Sequence, residues 1–199
     1  LASIGGNHFI HAARRNVDIK VICVNNLVYS MTGGQASATT PSSAITTTSP
    51  YGCYEPSFNL PNLAESAGAA YVARWTTFHV RQLARSMGEA LSRRGFCFIE
   101  IISPCPTLYQ RRNKMGDGLD AMKFYKEHSK VRNGAPTREV DMSIDGDIII
   151  SSTGDISTQT GEAYGIWART VTGDLKVTST GDISATKSIG IFAESSNTA

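Results

Sequence analysis

Residues 96–102 read FCFIEII, apolar everywhere except Glu100. A run this short and this continuously apolar predicts a strand buried on both faces, as in parallel sheets whose crossover helices cover both sides. Immediately before it, TFHVRQLARSMGEALSRRG (77–95) places Val80, Leu83, Ala84, Met87 and Leu91 along one helical face, with Thr77 as a cap and Gly95 as a stop. Further out, AYVARW (70–75) predicts a second strand. PNLAESAGA (61–69) predicts a helix capped by Asn62, three residues before Glu65, and ended by Gly68. DIKVICV (18–24) reads as a buried strand, NHFIHAARR (7–15) as a helix with Phe9, Ile10, Ala12 and Ala13 on one face, and GLDAMKFYKEHS (118–129) as a last helix. Alternating strands and helices of this kind predict an α/β domain, a mostly parallel sheet with helices on both faces. Such sheets bind ligands at the carboxyl ends of their strands. Two loops leave from those ends: VNNLVYSMTGGQ (24–35) and SPCPTLY (103–109).

The bulk composition narrows the function classes. The chain has 199 residues, 41% hydrophobic and 18% charged, enough to bury the core of one large domain. Its net charge of +2 conceals an asymmetry: residues 1–143 carry 16 Lys and Arg against 10 Asp and Glu, and residues 144–199 carry 3 against 7. The basic residues are scattered among helices and form no stripe, which argues against a nucleic-acid partner. No apolar run is long enough to span a membrane, and no signal-peptide pattern opens the chain. Cys23, Cys53, Cys97 and Cys105 form no CxxC pair and fit a reducing, cytoplasmic setting better than a disulfide scaffold.

In the 24–35 loop, Asn25 and Asn26 are neutral oxygen donors, the kind that Mg²⁺ takes alongside substrate phosphates. Gly33 and Gly34 let backbone approach a ligand, and Thr32 and Gln35 add hydrogen bonds. On local chemistry alone an ordinary turn, with the asparagines bonding their own backbone, is the favoured reading.

Longer stretches resemble a known family. IGGNHFIHAARRN, VNNLVYSMTGGQASATTP, PYGCYEPSFNLPNLAESAGAAYVARWTT and FCFIEIISPCPTLYQRRNKMGD together resemble the β subunit of 2-oxoacid:ferredoxin oxidoreductases, of the 2-oxoglutarate type, nearly unbroken from residue 1 to about 150. The resemblance implies oxidative decarboxylation of a 2-oxoacid, with CoA taking the acyl group and electrons passing to ferredoxin, in partnership with an α (or αγ) subunit. It implies thiamine diphosphate held through Mg²⁺, with Asn26 and the main-chain carbonyl of Val28 as metal ligands. Met31, Thr32, Gly33, Gly34 and Gln35 would line the cofactor, and Met31 leans toward the 2-oxoglutarate branch. Gly5, Gly6, Asn7 and His8 would open a helix toward the diphosphate, where free N–H groups and the helix dipole favour an anion. The family's acidic metal ligand, in a Gly-Asp-Gly motif, would stand just before Leu1. The chain reads as N-terminally truncated, and by itself it is expected to be inactive and to bind the cofactor poorly. Cys105, in SPCPT, matches the distant fourth cysteine of a 4Fe–4S cluster, and a free loop cysteine is its alternative. The catalytic residues are left unassigned.

Other candidates stand apart from that match. His8 and His11 have a metal-capable spacing without a third ligand. His79 and His128 read as solvated helix residues, Cys23 and Cys97 as core, and Cys53 carries no assignment. Arg111, Arg112 and Lys114 form a basic run, either a solvated turn or a contact for an anionic substrate or partner subunit.

From about residue 144 the texture changes. STGDIS at 152–157 recurs at 179–184, and YGIWA (164–168) is echoed by IGIFA (189–193). Gly146 and Gly173 begin matching stretches, and Asp147, Asp155, Asp174 and Asp182 read as turn formers rather than Ca²⁺ ligands. Short strands divided by Gly-Asp turns predict a β-solenoid-like repeat over 144–199, although two repeats are fewer than a solenoid core needs. It loosely resembles autotransporter passenger domains, so the competing reading is a structural, adhesive cell-surface fragment. The two textures predict a chimeric chain that joins near residues 145–157.

Overall fold

The computed structural model describes residues 1–134, 136–139, 148–150, 156–158, 166–170, 183–185 and 191–195. The first compact unit spans Leu1–Ser152. In chain order it runs α1 (Gly6–Arg14), β1 (Lys20–Asn25), β2 (Val28–Tyr29), β3 (Gln35–Ala36), α2 (Leu60–Ser66), β4 (Tyr71–Thr76), α3 (Val80–Ser92), β5 (Cys97–Ile102), α4 (Gly118–His128), β6 (Ser129–Val131) and β7 (Ile148–Ile150). A π-helical turn occupies Pro106–Gln110 and a 3-10 turn Thr137–Glu139.

The three apolar runs pair with one another. β1, β5 and β4 form a parallel sheet in that order, with Lys20 and Tyr71 both opposite Cys97, and Asn25 and Thr76 both opposite Ile102. All three strands therefore end at one level, which is where a parallel sheet presents its ligand site. Helices cover both faces. On one, Ala90 of α3 and Ala121 and Tyr125 of α4 pack with Tyr71, Ala73, Trp75, Cys97 and Ile99. On the other, Phe9 and Ala13 of α1 and Leu60 and Ala64 of α2 pack on Val72, Phe96 and Phe98. The Phe9 ring meets Phe98 edge-on, with centroids 5.0 Å apart. Each such buried aromatic contributes roughly 1.5–3 kcal/mol. β2 and β3 form a small antiparallel ribbon above β1, with Val28 opposite Ala36.

Several expectations are corrected. β1 is half-exposed rather than buried, with Ile22 at 47% and Val24 at 64% exposure. Among the described residues it pairs with β5 alone, so it is an edge strand, and an apolar run does not by itself distinguish edge from centre. α2 is capped by Asn59, whose side chain accepts from the Asn62 N–H at 3.0 Å, so Asn62 receives the capping bond instead of making it. Pro61 fits that first turn because the N–H it lacks would have had no helical acceptor. α3 starts at Val80, and Thr76 rather than Thr77 organises its entry by accepting from the Phe78 N–H at 3.2 Å. Its inward face is also rotated: Leu83 and Met87 pack on the core, while Val80 and Leu91 are exposed and Ser86 is buried. The reason is polar. The buried Trp75 indole N–H needs an acceptor and finds the Ser86 hydroxyl at 2.7 Å. On α1, Ile10 is exposed, outside the Phe9–Ala13 stripe.

The second compact unit spans Thr153–Ala199. Its described residues are β8 (Ile156–Thr158), β9 (Ile166–Thr170), β10 (Ile183–Ala185) and β11 (Ile191–Ser195). β10 pairs with β8 in parallel, Ile183 opposite Ile156, and β11 with β9, Ile191 opposite Ile166. The expected Gly-Asp turns at Gly146, Asp147, Asp155, Gly173, Asp174 and Asp182 lie outside the described residues. No described helix is long and apolar enough to cross a membrane.

Candidate functional site

The strand ends gather their polar residues around Asn25. Asn25 closes β1 and is 6% exposed. Its Nδ2 donates to Glu100 Oε1 at 2.7 Å, and Glu100 Oε2 accepts from Arg74 Nε at 2.6 Å. Its Oδ1 accepts from the Leu27 N–H at 3.0 Å and from the Thr39 hydroxyl at 2.9 Å. The Thr40 hydroxyl donates to the Leu27 carbonyl at 2.5 Å. Leu27 is thus gripped at both its N–H and its C=O, and it adopts φ +70, a left-handed conformation that costs a bulky residue about 1–3 kcal/mol. The turn redirects the chain so that Asn26 and Val28 follow directly off the strand end.

Asn26 is half-buried. Its Nδ2 donates to the Ser30 hydroxyl at 2.8 Å, which leaves Oδ1 with no hydrogen bond among the described residues. Val28 lies opposite Ala36, whose own N–H turns away to Thr48 Oγ1. Beyond them, the Gly34 N–H donates to the Tyr29 carbonyl at 2.8 Å. The Thr32 hydroxyl donates to Gln35 Oε1 at 2.6 Å, and Gln35 Nε2 donates to the Thr32 carbonyl at 2.8 Å. Gly33 and Gly34 have φ +116 and +87. At Gly34 a Cβ would also press on the Leu108 side chain at 3.3 Å, so both conformation and space call for glycine there. Met31 projects into solvent, 98% exposed.

The start of α1 joins this loop through a hydrogen bond between the Ser3 and Tyr29 hydroxyls. Gly5 at the N-cap of α1 has no side chain; in the first turn, which holds no acidic residue, the Gly6 N–H donates to the Ser3 carbonyl at 3.0 Å and the His8 N–H to Asn7 Oδ1 at 2.9 Å. A Cβ on Gly6 would meet nothing within 4 Å, so the surface there is open to an approaching ligand. Asn7 and His8 are exposed beside it. Neutral oxygens from Asn26 and Val28, a glycine pair and the Asn7 N–H at the helix start form a donor set that fits Mg²⁺ with a diphosphate. Thiamine diphosphate bound there would bring the means to cleave a bond beside a ketone. This chain's residues would hold and orient its diphosphate end.

Other candidates fall differently. Cys105 is buried among Leu27, Val28, Ala44 and Tyr109. No described group of three or more His, Cys, Asp or Glu side chains is placed to hold a metal. The described residues therefore do not fit a 4Fe–4S cluster, which needs four ligands. All four cysteines are free thiols. Cys97 is buried in the core as expected, whereas Cys23 is half-buried and Cys53 is buried in its loop. Burial, and then the Glu100 carboxylate opposite it, pushes the Cys23 thiol up to about 11. Burial likewise raises the phenols of Tyr109 and Tyr125. His79 is buried, not solvated: its Nδ1 and the Thr76 hydroxyl lie 2.8 Å apart, and burial holds the imidazole below its ordinary value. His128 stacks on Phe124 at 4.4 Å. His11 is exposed on α1. Arg111 and Arg112 line a shallow cleft of about 170 Å³ with Thr107 and Leu108, the residue against Gly34, and Lys114 lies in a separate open hollow.

Sequence reasoning named Asn26 and passed over the Arg74–Glu100 pair beneath it. The signal was present: each strand carries one charge in an otherwise apolar run, and the two are of opposite sign.

Comparison with known proteins identifies the family. Residues 1–101 match the thiamine pyrophosphate enzyme family at its C-terminal TPP binding domain. The chain belongs to the thiamine pyrophosphate enzymes. It is 52% identical over 149 residues to 2-oxoglutarate synthase subunit KorB of Methanothermobacter thermautotrophicus, covering 75% of this chain and 52% of that one. It is 50% identical over 159 residues to the subunit of the same name from Methanocaldococcus jannaschii, covering 78% and 57%. Among solved structures it resembles 2-oxoglutarate:ferredoxin oxidoreductase from Magnetococcus marinus, described with 2-oxoglutarate, coenzyme A and succinyl-CoA bound. The TM-score is 0.62 at 27% identity, covering 75% of this chain and 51% of that one. The chain thus spans about half the length of the relatives it matches.

Proposed function

We propose that residues 1–143 form the thiamine diphosphate-binding part of a 2-oxoglutarate:ferredoxin oxidoreductase β subunit. The observation that carries this is Asn26, just past the end of β1, whose Oδ1 is left without a hydrogen bond among the described residues. Asn26 and the Val28 carbonyl would ligate Mg²⁺. Gly5, Gly6, Asn7 and His8 would face the diphosphate, and Met31 to Gln35 would line the cofactor. The reaction is conversion of 2-oxoglutarate and CoA to succinyl-CoA and CO₂, with an electron pair passed to ferredoxin. An α (or αγ) subunit supplies the rest of the site. Cys105 would serve a 4Fe–4S cluster only alongside cysteines beyond those described, and Arg111 and Arg112 offer charge to an anionic substrate or the partner subunit. Four free thiols accord with a cytoplasmic setting. For residues 144–199 the repeat and its parallel pairing at 27- and 25-residue offsets are the basis for a β-solenoid-like stack, to which no activity is attached.

Calorimetric titration tests the assignment. Asn26 and Val28 give Mg²⁺ only neutral oxygens, so Mg²⁺ alone should show no saturable binding. Thiamine diphosphate with Mg²⁺ should bind weakly to this chain and more tightly once the α subunit is added. Asn26→Ala should weaken that Mg²⁺-dependent binding about tenfold or more, as loss of a metal ligand does. Equal affinity in the variant and the parent chain would remove Asn26 from the site.

A further inference from the structure

The proposed ligands stand on a turn that something must hold. Leu27 is bulky and left-handed, a conformation that persists only where surrounding bonds enforce it. The enforcing bonds lead away from the site. The Leu27 N–H bonds to Asn25 Oδ1, and the Asn25 amide can present that oxygen only if its Nδ2 is directed the other way. Glu100 Oε1, fully buried on the central strand, fixes that direction by accepting from Nδ2. A carboxylate accepts and never donates, so it allows one orientation of the amide and rejects the flipped one. Arg74, 3% exposed on the third strand, holds the other carboxylate oxygen. The relay crosses the whole sheet within one register, since Arg74 lies opposite Glu100 and Asn25 lies two residues beyond Cys23, which also faces Glu100.

We infer that Glu100, clamped by Arg74, is a positioning residue that sets the Asn26–Val28 ligand turn through the Asn25 amide. This rests on the proposed function for its meaning to the cofactor, but the conformational relay stands independently. A buried ion pair is a costly way to stabilise a sheet, and apolar residues of similar volume often do as well. Here the carboxylate has a second task that an apolar residue cannot perform: it gives a buried amide its direction.

Two double variants separate positioning from simple stability. Arg74→Met/Glu100→Gln removes both charges but leaves an oxygen acceptor for Asn25. Arg74→Met/Glu100→Met removes both charges and the acceptor. In the full chain, hydrogen–deuterium exchange at the Leu27 amide and calorimetric binding of thiamine diphosphate with Mg²⁺ are read for each. The glutamine variant keeps an acceptor, but its amide can also turn to donate, so it should fall between the parent chain and the methionine variant in both. The methionine variant should exchange its Leu27 amide about tenfold faster and bind about tenfold or more weakly, as when a ligand loses its outer support. Asn25→Ala, which leaves the ion pair intact, should reproduce that pattern even if a double variant fails to fold. Equal behaviour of the two double variants, whether both intact or both impaired, would overturn the inference, and so would an unchanged Leu27 amide in Asn25→Ala. If the parent chain, with its α subunit present, binds no thiamine diphosphate, the functional reading fails instead, and the amide exchange still decides the relay.

Discussion

His79 is the residue whose environment departs furthest from what its position in the sequence suggests. It precedes an amphipathic helix, where solvent would be the ordinary surrounding, yet it is 8% exposed with rings on both sides: Trp75 at 6.0 Å and Phe78 at 5.3 Å. Burial lowers its pKa from the ordinary 6.5, so the unfolded chain binds this proton more readily than the folded one. The contribution to stability is full above 6.5, declines as the pH falls through that value, and levels off below the folded-state pKa. The urea midpoint should therefore drop between about pH 7.5 and about pH 5.5. His79→Gln, which keeps a partner for Thr76 and cannot titrate in this range, should flatten that part of the drop. An identical pH slope in the variant would show that other groups carry it. At this scale the sequence was readable where a residue's chemistry is its own, as with the oxygen of Asn26. It was unreadable where the chemistry belongs to a pair 26 residues apart, as with Arg74 and Glu100.

Among the elements, β5 was the most legible because it is central and covered on both faces, so its apolar run had one physical explanation. β1 carries a similar run, but its place at the edge depends on what pairs beside it, and no local pattern encodes that. α2 shows the same limit at a helix end. Asn59 and Asn62 are both asparagines near the start, and the choice between them is made by Pro61 and by a distant residue: Asn59 Nδ2 also donates to the Thr137 carbonyl at 2.9 Å. Thr137 in turn donates its hydroxyl to the Glu65 carboxylate, so the 3-10 turn is tied to both ends of α2. Asn59→Ala loses the cap and the tie and should cost about 1–2 kcal/mol by urea unfolding. Asn59→Asp keeps a capping oxygen and loses only the donor, so it should fall between the parent chain and the alanine variant. A loss no larger for alanine than for aspartate would mean that the cap contributes nothing and only the Thr137 tie matters.

At the scale of the whole molecule, the chain divides into two compact units, Leu1–Ser152 and Thr153–Ala199. The first unit contains the three-stranded sheet, both helical faces and every residue of the proposed cofactor site. Its apolar clusters are built from residues between Ala2 and Tyr125, so its cooperativity has its source there. A chain ending at Ser152 should therefore unfold in urea at the same midpoint as the full chain when followed by Trp75 fluorescence, since the second tryptophan, Trp167, lies in the other unit. It should also bind thiamine diphosphate with Mg²⁺ as the full chain does, to within about twofold, because every residue of the proposed site lies in the first unit. The Leu27 amide is the sensitive reporter: if the second unit braced the ligand turn, its removal would speed exchange there before it changed the global midpoint. Tenfold weaker binding at an unchanged midpoint would show that residues 153–199 contribute to the site, and the assignment of function to the first unit alone would have to be withdrawn.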